Sequence, residues 1–185
     1  MKELWLEKEP SVVYGGKINQ LINLCQLGLS VPKGLILPAD QVMTWLSAAL
    51  PEYSKEGLKE LIHLGKEEIA ERLQQYPLDS AWLQELAAFC QENQAYIIRS
   101  SALLEDGQAM SFAGQYDSIA DCQTMSSITA GIKACILSLL KPQALAYWHR
   151  QGRSWQDFGL AILIQEQCQP DYSGIYFPLN PESNQ

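Results

Sequence analysis

The stretch YIIRSSALLEDGQAMSFAGQYDS, residues 96–118, decides how this chain is read. It opens on "AYII", an apolar run with the β-branched character of a buried strand, and places Arg99 where that run ends. A guanidinium keeps its charge in almost any surroundings and presents a planar fork of N–H donors matched to phosphate or carboxylate oxygens. At a strand terminus it is fixed on a rigid element with its head at a cleft, and the hydroxyls of Ser100 and Ser101 add short donors beside it. About a dozen residues on, "SFAGQYDS" sets Ser111, Ala113 and Gly114 around a single phenylalanine, small residues that let backbone N–H groups line an anion. The competing reading is that Arg99 pairs with Glu105 or Asp106 across the turn.

A second anion-compatible element lies near the front. In "YGGK", residues 14–17, two glycines allow close backbone approach, and Lys17 brings a mobile charge to the start of a helix, whose N-terminus carries its own positive field. The spaced glycines and Lys-Ser/Thr pair of a Walker loop are absent, so taken alone this short motif reads as an ordinary turn.

Around these segments the chain alternates helix and strand. Ile18, Leu21, Ile22 and Cys25 fall at i, i+3, i+4 and i+7, one apolar helical stripe stopped by Gly28. "GLILP" (34–38) reads as a short buried strand, and Asp40 stands near the start of a helix that ends at Pro51. Residues 52–92 read as wholly helical and amphipathic, with Ser54 and Asp79 as N-caps, and have the look of a surface helical insertion. "QYDSIA" is another strand. "MSSITAGIKACILSLL" is a helix burying Ile128, Ile132, Cys135, Ile136 and Leu139. Pro142 can open a further helix. "GLAILIQ" and "SGIYF" are the last strands. The pattern is mixed α and β, too irregular for a Rossmann array.

Composition sets the class. With 185 residues, 47% of them hydrophobic and 18% charged, the chain can bury a core. A net charge of −8 argues against nucleic acid or an anionic membrane as the main partner, while a small anion needs only two or three cations in one place. Five scattered cysteines with no Cys-x-x-Cys pair indicate reduced, packed thiols and neither disulfides nor a zinc site. The charged start MKELWLEKEP lacks the apolar region of a signal peptide, and no apolar run approaches a membrane span. A cytoplasmic protein is expected.

Taken in order, Gly-Gly-Lys, GLSVPKGLIL (28–37), Arg-Ser-Ser-Ala-x-x-Glu-Asp and Ser-Phe-Ala-Gly-Gln resemble the N-terminal nucleotide-binding region of the phosphoenolpyruvate synthase and pyruvate phosphate dikinase family. Rifampicin phosphotransferase and the glucan water dikinases have similar regions. The similarity continues through IKACILSLLKPQALAYWHRQG (132–152) and LAILIQEQCQPDYSGIYFPLNP (160–181), from about residue 12 to 181.

The resemblance implies an α+β, ATP-grasp-like fold that holds ATP between two lobes, this chain (1–185) being its N-terminal portion. Carried over by position, Lys17 and Arg99 contact the phosphates as the catalytic cations, Gly114 lends a backbone donor, Ser118 takes a neighbouring hydroxyl position, and Gln165 sits at the adenine-side hinge formed by Gln165 to Cys168. The family usually shows Gln-x-Met-Val there, so Gln167 is a departure.

The family's second half of the ATP site, with the acidic and glutamine residues that hold Mg2+, would follow the F-x-x-N-P strand. The phosphohistidine carrier domain and the pyruvate-binding barrel would lie further on. Metal ligands are therefore expected outside this chain, and Glu105 and Asp106 are read as turn residues. His63 and His149 are read as structural. The expected function is the ATP-binding segment of a phosphotransferase that passes phosphate from ATP to a carrier histidine and then to pyruvate, inactive as an isolated piece. The alternatives are a non-catalytic nucleotide-sensing or partner-docking module, and a segment of a rifampicin or glucan phosphotransferase.

Overall fold

The computed structural model describes residues 9–51, 66–103, 117–141, 159–172 and 174. After a 3-10 turn (Val12–Tyr14) come α1 (Gly15–Gln26), β1 (Gly34–Leu37), α2 (Ala39–Ala49), α3 (Lys66–Gln75), α4 (Ser80–Phe89), β2 (Tyr96–Ala102), β3 (Ser118–Cys122), α5 (Met125–Leu139) and β4 (Leu160–Glu166). The four strands form one sheet in the order β1-β4-β2-β3, and every pairing is antiparallel. The expected α+β class is therefore met, and no parallel β-α-β unit occurs among the described residues.

Strand β4 reads LAILIQE, and its first six residues are buried because it lies between two strands with helices over both faces. Side chains alternate between faces, which divides the core in two. On one face Ile36, Ala161 and Leu163 meet Tyr14, Ile18 and Ile22 of the first helical segment. On the other, Leu35, Leu37, Leu160, Ile162, Ile164 and Ile98 meet the apolar stripes of α2, α3, α4 and α5. Ile18 and Ile22 are fully buried, each contributing about 1.5–3 kcal/mol of transfer free energy.

Local signals set most element ends. Gly28, at φ 79°, follows α1 as a left-handed stop. Asp79 caps α4, its Oδ1 accepting from the Ala81 N–H at 2.7 Å. Thr124 and Ser127 close a reciprocal capping box on α5, whose buried side contains Ile128, Ile132, Cys135, Ile136 and Leu139 as the spacing requires. The amphipathic stretch lends Ile69, Leu73, Leu78, Trp82 and Leu86 to the larger core, with its charged residues outward. It breaks at Tyr76–Asp79, so it is not wholly helical. Ser54, the Pro142 helix and the SGIYF strand lie outside the described residues.

One expectation needs correction. Arg99 does not end its strand; it is the fourth residue of seven in β2. Strand β4 pairs alongside as far as Ala102–Leu160, which carries the chain through Ser100 and Ser101 in extended form. Among the described residues, no helix is long and apolar enough to cross a membrane.

Candidate functional site

The site begins with how α1 is fastened to β2. Gly15 adopts φ 72°, and a β-carbon there would lie 2.5 Å from the carbonyl oxygens of both Ser101 and Ala102. Only glycine permits that approach. Ser101 Oγ then accepts the N–H of Ile18 at 3.2 Å, satisfying one of the orphan donors of the first helical turn from a residue far away in sequence. Pinned in this way, the first turn of α1 delivers Lys17, whose Nζ donates to the Ser100 carbonyl at 2.9 Å. The β2–β3 pairing ends one residue earlier, at Arg99–Ser118, so Lys17 binds the strand just past the end of that ladder.

Arg99 itself stands in the row Ser118–Arg99–Leu163–Ile36 across the sheet. Directly paired residues share a face, so Arg99 lies on the α1 side. That face has two halves. Ile36, Ala161 and Leu163 are sealed under α1, whereas Arg99 is half-buried and Ser118 exposed. Gln165 belongs to the same face, and its side chain is buried. Arg99 Nη1 donates to Gln165 Oε1 at 3.2 Å, and Gln165 Nε2 donates to the Pro32 carbonyl at 3.1 Å.

The surroundings are fixed by polar contacts. Ser100 Oγ donates to the Asp117 carbonyl at 3.0 Å, and Lys141 Nζ pairs with Asp117 Oδ1 at 2.7 Å. That ion pair is more than a third exposed, which makes it a minor source of stability. Beneath it, burial pushes the Cys135 thiol up to about 12, Asp117 and Cys122 add to the rise, and the Lys17 charge opposes it. Cys135 is thus a packed, protonated thiol and not a nucleophile at neutral pH.

Of the residues singled out in the sequence, Lys17, Arg99, Ser118 and Gln165 fall within this one region, where β2 is flanked by β3, β4 and the start of α1. Gly114, Glu105, Asp106, His63 and His149 lie outside the described residues. Two expectations change. Ser100 and Ser101 are buried, and their hydroxyls serve Asp117 and Ile18 rather than a ligand. Gly15 gives its freedom to the approach of helix and strand, not to a ligand's approach. Gln165 is flanked in the sheet by Gly34 on one side and Ile97 on the other, and its side chain lies on the Arg99 face.

Gln167, the departure from the family pattern, makes a reciprocal pair. Its Oε1 accepts the Asp121 N–H at 2.8 Å, and its Nε2 donates to Asp121 Oδ1 at 2.7 Å. Among the described residues no three His, Cys, Asp or Glu side chains converge as metal ligands. The Gln165 relay and the Ser101 cap were missed by sequence reasoning, because both join residues far apart in the chain and leave no local signature.

Most of the chain is similar to known proteins. The chain is 27% identical over 191 residues to phosphoenolpyruvate synthase of Escherichia coli, covering 91% of this chain and 24% of that protein. It is 30% identical over 190 residues to rifampicin phosphotransferase of Streptomyces sviceus, covering 96% and 22%. A probable phosphoenolpyruvate synthase of Methanocaldococcus jannaschii is 27% identical over 192 residues, covering 92% and 16%. The chain spans about a quarter or less of the length of these relatives. Residues 11–185 match the family described as pyruvate phosphate dikinase, AMP/ATP-binding domain, and the chain belongs to that family.

Proposed function

We propose that this chain is the N-terminal part of an ATP-grasp-like nucleotide site, and that in a longer phosphotransferase of the phosphoenolpyruvate synthase type it holds the phosphates of ATP. The observation that carries this reading is the placement of Lys17 on the carbonyl of Ser100, the residue next to Arg99, which brings cations from two distant parts of the chain to one stretch of strand. Two positive charges on rigid elements are what a polyphosphate requires. Phosphoryl transfer is governed by positioning and by neutralising charge on the phosphate oxygens.

In this reading Lys17 and Arg99 grip the phosphates, and Ser118 offers its exposed hydroxyl from the strand beside Arg99. Gly114 supplies a backbone N–H from the segment joining β2 to β3. The residues following Gln165 border the base. ATP brings the transferable phosphoryl group; Mg2+ and its ligands come from a second lobe, and the phosphohistidine from a separate carrier domain. The isolated 185-residue piece accordingly binds without turnover.

The acceptor is chosen elsewhere in the full protein. Pyruvate is the first reading and rifampicin the second, the latter favoured by the 30% identity to a rifampicin phosphotransferase.

Thermal unfolding with and without ATP tests the site. A ligand at a hundredfold its Kd stabilises by about 2.7 kcal/mol. ATP should raise the Tm of the wild type, and Lys17→Ala and Arg99→Ala should each abolish most of that rise. An undiminished rise in both variants would remove the phosphate assignment. Phosphohistidine or AMP formed by the purified piece would refute its inactivity.

A further inference from the structure

Gln165 accepts from Arg99 and donates to Pro32, and its amide cannot be turned round: the guanidinium has only donors to offer and the Pro32 carbonyl only an acceptor. Gln165 is 3% exposed. The neighbouring main chain is stitched to the same segment, the Glu166 N–H donating to the Lys33 carbonyl at 2.8 Å. Arg99 is therefore held at one edge of its fork by a group that is itself held at both ends.

We infer that Gln165 is a positioning residue: it sets the direction of the Arg99 guanidinium from the Pro32 segment, and does so with a neutral acceptor so that the full positive charge remains for an anion. A carboxylate at this position would orient Arg99 equally well but would cancel the charge. An apolar side chain would leave the charge but not its direction. The choice of an amide meets both requirements. This inference rests on the nucleotide reading above and gives Gln165 a role at the phosphate end of the ligand, acting through Arg99.

The test is calorimetric titration of the full chain with sodium tripolyphosphate and, separately, with adenosine. It uses the wild type, Gln165→Met, Arg99→Met and the double variant. A charged hydrogen bond of ordinary strength corresponds to about a tenfold change, so Gln165→Met should weaken tripolyphosphate about tenfold. The double variant should bind no worse than Arg99→Met, because the two residues act as one unit. The tripolyphosphate loss should exceed any change in adenosine affinity. Gln165→Glu, which keeps the acceptor but adds a negative charge, should also weaken tripolyphosphate.

Losses that multiply in the double variant, or a Gln165→Met loss seen with adenosine and not with tripolyphosphate, would overturn the positioning role. A wild type that binds neither ATP nor tripolyphosphate would instead overturn the nucleotide reading. The holding of Arg99 is read independently in the ligand-free protein by 15N NMR. Slow rotation about its Nε–Cζ bond is expected in the wild type and averaging in Gln165→Met. Free rotation in the wild type would refute the relay even if the variant fails to fold.

Discussion

Replacing Gly15 by alanine tests the joint on which the Lys17 position depends. The added β-carbon would meet the Ser101 and Ala102 carbonyl oxygens at 2.5 Å and Ser101 Oγ at 2.7 Å. Real β-carbons essentially never come within 3.0 Å of another atom, and two of these three neighbours are main chain in a paired strand, so relief requires moving α1 or β2. Overpacking of this kind costs about 1–3 kcal/mol. The backbone conformation adds to it: at φ 72° an L-residue is penalised by about 1–2 kcal/mol. Together these give a destabilisation of about 3 kcal/mol, which for a protein of this size lowers Tm by about 6–12 °C.

Gly28→Ala is the matched control, because its φ of 79° is similar but nothing lies within 4 Å of the added carbon. It should cost about 1 kcal/mol, the conformational penalty being partly offset by a less flexible unfolded chain. The assay is urea unfolding of both variants followed by circular dichroism, with midpoints compared at constant slope. Equal midpoints for Gly15→Ala and Gly28→Ala would show that the close approach of α1 to β2 carries no energetic weight, and the account of how Lys17 is placed would fail with it.

Two further outcomes are expected. Ser101→Ala leaves the buried Ile18 N–H without its acceptor and should lower stability by about 1–3 kcal/mol, read as a shifted urea midpoint; a shift below about 0.3 kcal/mol would mean that the cap is dispensable. The raised Cys135 pKa gives an alkaline signature: above pH 9, the ordinary value for this group, the unfolded chain sheds the thiol proton while the folded chain keeps it to about 12. Stability is therefore undiminished by this thiol below pH 9 and falls between pH 9 and 12, by up to about 1.4 kcal/mol per pH unit. Cys135→Ala should flatten that decline, and an unchanged slope in the variant would place the titration elsewhere.

The helices and the central strand were legible because their signals are local. The stripe from Ile18 to Cys25, the spacing from Ile128 to Leu139 and the apolar run of β4 each state which face is buried without reference to the rest of the chain. The limits of β2 were not legible, for a reason specific to Ser100 and Ser101. A hydroxyl is costly to bury unless it is partnered, and their partners are Asp117 and Ile18, the second 83 residues away. Read without those partners, two serines after a hydrophobic run mark a strand end and a ligand-facing turn; with them, the same serines are interior.

The tyrosine-flanked glycine pair misleads in the same way, since a glycine looks alike in sequence whether a ligand or a strand approaches it. The charged residues fared better. Arg99 is singled out by its chemistry and Lys17 by the ordered resemblance, and the fold places Lys17 on the residue next to Arg99. What no local pattern contains is the Gln165 amide between Arg99 and Pro32, because its value depends on three segments meeting. Cations can be read from residue type; the groups that contact them are visible only once the strands are paired.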